Sequence, residues 1–370
     1  MTPFLLTLVI GSVVFSVLSI VAAFRYLAVP PIQLEERVPI SILKPLSGLD
    51  EGLEENLRTF FQQAYGKFEI LFAVRDATDP SAQVVTKLLK DYPEVQARLI
   101  VTGEPAYPNA KVFSLSQMIN AAANDLVVMS DSDTRVTPDF LRTVAAEFQS
   151  PEVGIATCPY RAVGGRSLWS QLEAIGLNTD FMAGILVARM VEGMRFAVGP
   201  TIVARKSVIQ AIGGFDRLKD YLAEDFVLGQ FAAEAGQGVI LSSYVIEHRI
   251  GSSSLGENVA HRLRWVRSTR RSRPAGYVGQ IFTMPLPLAL LLCLTRPSWW
   301  PVLALSFIVR LISAYVVSSR VLRTRINWFL LPVEDLVSFG FWLLGFFGNT
   351  ILWRGRKYAL KRDGRFEVVR

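Results

Sequence analysis

Cysteine is nearly absent: Cys158 and Cys293 are the only two in 370 residues. A disulfide framework and a Cys-rich metal site are therefore excluded, and both read as ordinary buried thiols. There is no Gly-x-x-x-x-Gly-Lys phosphate loop, no Ser nucleophile elbow and no His-Glu-x-x-His, so three common catalytic plans have no foothold. Internal repeats and low-complexity segments are also missing. No Lys or Arg precedes the first apolar stretch, whereas a secretory signal peptide normally starts basic.

Apolar residues, by contrast, make up 51% of the chain, more than a soluble enzyme of this size needs. The formal charge is +7, a balance that suits anionic lipid, nucleic acid or a phosphorylated substrate. Pro3 to Phe24 carries no charge and is long enough to span a bilayer, which predicts a retained anchor over residues 1–25. Arg25, Arg37 and Lys44 follow it, and the positive-inside rule puts that side in the cytoplasm. Three further apolar stretches lie within 276–353: Tyr277–Leu294, Trp299–Val317 and Leu336–Leu352. Pro285 and Pro287 interrupt the first, Arg310 the second, and Glu334 with Asp335 stand at the mouth of the third. A basic tail, 354–370, closes the chain. Four full spans would put that tail outside; a re-entrant or interfacial Tyr277–Leu294 returns it to the cytoplasm, which is the arrangement expected here.

The middle, 38–255, alternates two periods. Val38–Leu43, Phe68–Val74, Arg98–Val101, Leu126–Met129 and Val153–Thr157 are short and β-rich. Between them Glu51–Gln63, Ser81–Asp91, Phe113–Asn124 and Pro138–Phe148 have helical spacing. This predicts an α/β domain with a mostly parallel sheet, where ligands bind at the C-terminal ends of strands.

Residues at those ends carry the chemistry. Asp76 follows Phe68–Val74 and either accepts hydrogen bonds from a nucleotide base or starts a turn. Asp131 and Asp133 follow Leu126–Met129; spacing of two in an extended chain puts both carboxylates on one face, where they suit Mg²⁺ or Mn²⁺ held with substrate phosphates. The bland alternative is a solvated turn. Glu224-Asp225 opens the helical pattern Asp225–Ala235, either as dipole-favoured acids or with one as general base. Lys111 reaches a phosphate or solvent. On a helix over Glu257–Arg271, His261, Arg264 and Trp265 share a face at i, i+3 and i+4. Arg264 can neutralise a diphosphate, and the other arginines of this interfacial segment, 256–275, are expected to face lipid phosphates. His248 has no evident partner and reads as structural.

In this order the residues resemble the inverting lipid glycosyltransferases of GT-A fold: a lone Asp76, Asp131-Ser-Asp133, Glu224-Asp225 and His261-Arg-Leu-Arg-Trp265. Ser41-Ile-Leu-Lys-Pro-Leu-Ser-Gly48, Asp91-Tyr-Pro-Glu-Val-Gln-Ala-Arg-Leu99, Gly213-Gly-Phe215 through Tyr221-Leu-Ala-Glu-Asp225, and the tail Trp353-Arg-Gly-Arg-Lys-Tyr358 narrow it to the ceramide glucosyltransferase family. His261 stands where Gln or Arg is usual, as in the bacterial hopanoid-associated branch, and Asn109-Ala-Lys111 replaces the family's Asn-Pro-Lys. The resemblance implies a GT-A nucleotide-sugar-binding domain with N- and C-terminal transmembrane helices. It implies a UDP-sugar donor, with UDP-glucose expected, bound by Asp76, Lys111, Asp131, Asp133 and Arg264. Asp131 and Asp133 would meet Mg²⁺ or Mn²⁺, and Asp225 would deprotonate a lipid hydroxyl. Glu224, His261 and Trp265 would close over diphosphate and acceptor. The alternatives are transfer of N-acetylglucosamine to a hopanoid or other lipid alcohol, and an inactive membrane scaffold. The expected setting is a multi-pass protein of a bacterial inner membrane, its catalytic domain cytoplasmic, in contact with anionic lipids and not with nucleic acid.

Overall fold

The computed structural model describes residues 2–353 and 355–369; Met1, Arg354 and Arg370, the last two within the expected basic tail, lie outside the described residues. The chain forms two compact units. One comprises residues 31–160 and 194–251; the other gathers 1–30, 161–193 and 252–370. The expected domain 38–255 is therefore not one continuous span, because 161–193 packs with the terminal segments.

The strands, in chain order, are β1 (Ile40–Pro45), β2 (Phe68–Val74), β3 (Ala97–Val101), β4 (Leu126–Ser130), β5 (Thr134–Arg135), β6 (Val153–Thr157), β7 (Tyr160–Gly164), β8 (Thr201–Arg205), β9 (Gly238–Leu241), β10 (Ile246–Ile250), β11 (Thr350–Trp353), β12 (Arg356–Leu360) and β13 (Phe366–Val368). The first unit is built on a seven-stranded sheet of order β3-β2-β1-β4-β8-β6-β9. Its first four strands run parallel and β8 alone opposes its neighbours. β4 is buried along its whole length and β2 along nearly all of it, as near-continuous apolar strands covered on both faces must be. On one face Leu43, Leu71, Val127 and Ile155 pack with Val112, Leu115 and Met118 of the helix Ala110–Ala121. β1 lies between β2 and β4, with Leu43 opposite Met129, so strand order reverses at β1 and leaves a crevice at its C-terminal end. A short antiparallel pair, β5 with β10, sets His248 opposite Thr134.

The second unit is mostly helical. Among the described residues three helices are long and apolar enough to cross a membrane: Thr2–Leu27, Leu168–Glu192 and Pro297–Val321. On Thr2–Leu27 the buried face is a run of small residues, Ser12, Ser16, Ser19, Ala22 and Ala23, which lets neighbouring backbones approach. Ser19 and Ser313 share a hydrogen bond of 2.7 Å there. The opposite face exposes Phe4, Ile10, Val14, Val17 and Phe24. Pro274–Thr283 and Pro285–Thr295 form a broken pair bent by 66°, with Pro285 at the first turn of the second helix. The helix Leu168–Glu192 has no counterpart in the sequence reading, since Glu173, Asp180 and Arg189 break its apolar run. In the fold those charges have partners: His261 and Asn258 for Glu173, Arg310 for Asp180, and the Tyr26 ring for Arg189. The basic tail carries β12 and β13, which with β11 before it make an antiparallel meander with Tyr358 and Phe366 buried.

Candidate active site

The crevice beside β1 gathers most of the residues singled out above. Asp131 follows β4 directly, and its main-chain N–H donates to Pro200 O at 2.8 Å. Lys111, one residue into the helix Ala110–Ala121, sits 2.7 Å from Asp131 Oδ1 and 3.1 Å from Glu224 Oε1. The lysine thus bridges the two acidic motifs rather than facing solvent. Burial pulls its pKa down, but Asp131 and Glu224 outweigh that and raise it, so Lys111 stays charged. Asn109 caps the helix by accepting from the Val112 N–H at 3.1 Å. Fully buried, it also donates to Tyr221 O at 2.8 Å and to Glu224 Oε2 at 3.4 Å. One capping side chain therefore fixes both the Lys111 helix and the loop that delivers Glu224.

Asp225 opens the helix Glu224–Glu234, and its Oδ2 accepts from the Gly199 N–H at 2.6 Å. Gly199 takes φ 60, and a Cβ there would come within 3.2 Å of the Tyr160 ring, so glycine suits this approach. Burial, and then the neighbouring Glu224, push the Asp225 carboxyl up to about 6, against Lys111 and the two backbone donors. A carboxylate with its affinity for a proton raised toward neutrality is suited to general-base work. A small hollow lined by Pro45, Lys111, Met129, Gly199, Glu224 and Asp225 lies here.

Asp133 corrects the reading of His248. The β5–β10 pairing brings His248 Nε2 to 3.2 Å from Asp133 Oδ2, so the histidine belongs to the acidic motif. Burial raises the Asp133 pKa, yet His248 above all outweighs it and the net shift is downward. Asp133 Oδ1 is buried with no hydrogen-bond partner among the described residues. Desolvation favours a proton on Asp131, against the pull of Lys111, and its pKa is raised. Asp76 lies beyond the end of β2, exposed, accepting from the Thr78 N–H at 2.8 Å and the Thr78 hydroxyl at 2.9 Å. Those bonds lower its pKa and hold the carboxylate ionised.

The donor set fits a hard divalent cation. Asp133 supplies the orphaned buried oxygen, with the His248 imidazole beside it and Asp131 two residues away. Among the described residues no group of three or more His, Cys, Asp or Glu is close enough to hold an ion alone. An ion here would draw remaining ligands from phosphate oxygens and water, the habit of Mg²⁺ at phosphate sites.

His261, Arg264 and Trp265 belong to the other unit, on the helix Leu255–Ser272. His261 Nδ1 is 2.6 Å from Glu173 Oε1, Trp265 rests near Phe181 at 5.7 Å between ring centroids, and Arg264 lies over the Trp353 ring at 5.9 Å. The remaining arginines, expected to face lipid phosphates, include several with partners within the protein. Arg262 grips Glu334 at 2.8 and 3.0 Å, and Arg267 donates to Phe347 O at 3.1 Å and Thr350 O at 2.6 Å. Arg270 donates to Gly348 O at 2.7 Å and to Asn349 Oδ1 at 2.8 Å, and Arg271 reaches that same amide oxygen. Arg267, Arg270 and Arg271 thus hold the segment 347–350 that follows the helix Leu331–Gly345.

Comparison with known proteins gives relatives in sequence and in fold. Ceramide glucosyltransferase 1 of Caenorhabditis elegans is 29% identical over 207 residues, covering 55% of this chain and 44% of that protein. The ceramide glucosyltransferase of Komagataella phaffii is 34% identical over 149 residues, 39% of this chain and 28% of that protein. The chain spans at most about half the length of the curated relatives it matches first. The mannosyltransferase PcManGT from Pyrobaculum calidifontis, solved in complex with GDP-Man and Mn²⁺, aligns over 92% of this chain and 98% of that one, with a TM-score of 0.55 and 17% identity. The fold is GT-A, as the sequence motifs imply. The model of glycosyl transferase family 21 matches residues 4–366, and the chain belongs to that family.

Proposed function

We propose that this chain transfers a hexose from a UDP-sugar, with glucose as the expected sugar, to the hydroxyl of a ceramide-like lipid, with inversion at the anomeric carbon. The observation that carries the reading is the charged array of Asp131, Lys111, Glu224 and Asp225 at the strand-order reversal, in a chain that also has helices fit to cross a membrane. The relatives' names supply the acceptor class.

In this reading Asp76 and Asp131 hold the nucleoside. Asp133, with His248 beside it, would hold the divalent cation. Lys111 keeps positive charge next to the diphosphate. A bound ion supplies Lewis-acid stabilisation of the departing UDP. Asp225 accepts the proton of the lipid hydroxyl as its oxygen forms a bond to the anomeric carbon, while the bond to the UDP oxygen breaks on the opposite face. The contributions of Arg264 to leaving-group charge and of Glu224, His261 and Trp265 to closure belong to the proposal and rest on the sequence resemblance. Arg25 and Arg37, on the C-terminal flank of the anchor, support a cytoplasmic reaction by the positive-inside rule. A second reading, N-acetylglucosamine onto a hopanoid or other lipid alcohol, is favoured by His261 at the position where Gln or Arg is usual.

The test is incubation of membranes carrying the protein with labelled UDP-glucose or UDP-N-acetylglucosamine, followed by mass spectrometry of the lipids. A new monoglycosylated ceramide, absent with Asp225→Asn, is the expected product. A labelled hopanoid selects the second reading. No labelled lipid with either donor sinks both.

A further inference from the structure

Lys44, the last residue but one of β1, has no exposed surface at all, a rare place for a lysine. An ammonium has three donors and no acceptor. Three oxygens face Nζ here, Ser130 Oγ at 3.3 Å, Thr134 Oγ1 at 3.0 Å and the main-chain oxygen of Asp131, while burial lowers the lysine pKa to about 7. The Phe60 ring lies 3.9 Å from Nζ, so the remaining neighbour is an aromatic face. The two hydroxyls bond each other at 2.8 Å, and Ser130 Oγ reaches Thr201 Oγ1 on β8 at 2.9 Å.

The next two carbonyls of the loop are held as well. Ser132 O accepts from Asn56 Nδ2 at 3.2 Å, and Asp133 O accepts from the Arg249 N–H at 2.7 Å. Asn56 is itself fully buried, and its Oδ1 accepts from Arg135 Nε at 2.6 Å. Three consecutive carbonyls, each with its own donor, leave the peptide planes of Asp131-Ser132-Asp133 no freedom to turn. The Cα–Cβ directions from which both carboxylates project follow from those planes.

We propose that Lys44 is a positioning residue that, with Asn56, presets the Asp131-Ser132-Asp133 loop for the donor diphosphate and its divalent cation. It touches neither, since it is sealed beneath the loop, and it acts through the main chain. Ordering the loop in advance removes a cost that donor binding would otherwise carry. The proposal rests on the reading of that loop as the donor site.

Lys44→Met keeps the stem and removes the donors. Titration of full-length purified protein with UDP in the presence of Mn²⁺ should show affinity weakened about tenfold or more, the scale of one lost charge-assisted hydrogen bond. The KM values for UDP-sugar and Mn²⁺ should rise together while the KM for the lipid acceptor stays put. A merely structural role would lower the melting temperature and the active fraction and leave every KM unchanged; that result overturns the proposal. If Lys44→Met does not fold, Asn56→Ala decides: about threefold weaker UDP binding, the scale of a neutral hydrogen bond, supports the proposal, and wild-type affinity overturns it. Asp133→Ala run in parallel separates the two layers. Wild-type UDP and Mn²⁺ affinity in Asp133→Ala removes the donor-site reading, and Lys44's role with it. Lost affinity there with unchanged Lys44→Met and Asn56→Ala removes the Lys44 role alone.

Discussion

At Asp225 one carboxylate oxygen is held by the Gly199 N–H and the other by the Phe226 N–H, so the group is aimed before any substrate arrives. Asp225→Asn keeps the shape and loses the basicity; transfer should fall by about 10²–10⁴-fold, with UDP binding largely retained. With the carboxyl raised to about 6, the base is ionised above that pH and protonated below it. Lipid-transfer kcat/KM should therefore drop as pH falls through about 6, and a profile flat to the ordinary carboxylate range near 4 would remove Asp225 as the base. His248→Ala should raise the Mn²⁺ concentration for half-maximal activity, because Asp133 loses its neighbouring imidazole; an unchanged metal titration would detach His248 from the ion. Asp131, Asp133 and Asp225 stand out in the sequence because strand ends and helix starts are visible as changes of period. Lys44 and His248 do not. A buried lysine has the same letter as a solvated one, and the partner of His248 is 115 positions away, reached only through a two-residue strand.

The helix Leu255–Ser272 begins on a reciprocal cap: Ser254 Oγ accepts from the Glu257 N–H, and the Glu257 carboxylate returns to the Ser254 N–H at 2.8 Å. Helical spacing places this element in the sequence to within two residues at its start. Its partners are another matter, since arginines that read as a lipid-facing set hold the segment after Leu331–Gly345 instead. Such contacts cannot be read from letters, because lone carbonyls carry no sequence signature. The joint variant Arg270→Ala, Arg271→Ala should lose about 1.5 kcal/mol of stability or more, the scale of a hydrogen bond to a charged group. Activity should fall equally with a bilayer lipid and a short-chain soluble acceptor. A loss confined to the bilayer substrate, with an unchanged melting temperature, would restore the lipid-facing role.

At the scale of the whole molecule, three segments far apart in sequence meet at Arg310. Its guanidinium holds Asp335 through Nε and Nη2, reaches Asp180 at 2.7 Å and donates to Thr179 at 3.0 Å. Thr179 and Asp180 sit on a π-helical turn, Leu177–Phe181. Removing one partner strands the others, so Arg310→Ala should cost about 3–5 kcal/mol, whereas Arg310→Met with Asp335→Leu should recover only the part due to Asp335, because Asp180 still lacks its counter-charge. Thermal unfolding of detergent-solubilised protein measures both; an additive double variant would show that the charges do not act as a unit. This partnership also explains why 161–193 looked like part of a soluble domain. A charge inside an apolar helix reads as a surface until its counter-charge is located.

The interleaving of the two units has a practical corollary. The seven-stranded sheet is encoded on both sides of residues 161–193. Trimming both termini to leave 31–251 would not yield a soluble fragment, because the apolar helix Leu168–Glu192 would stay inside it, stripped of Tyr26, His261 and Arg310. Removing the apolar helix Leu168–Glu192 calls for an internal deletion rather than a truncation.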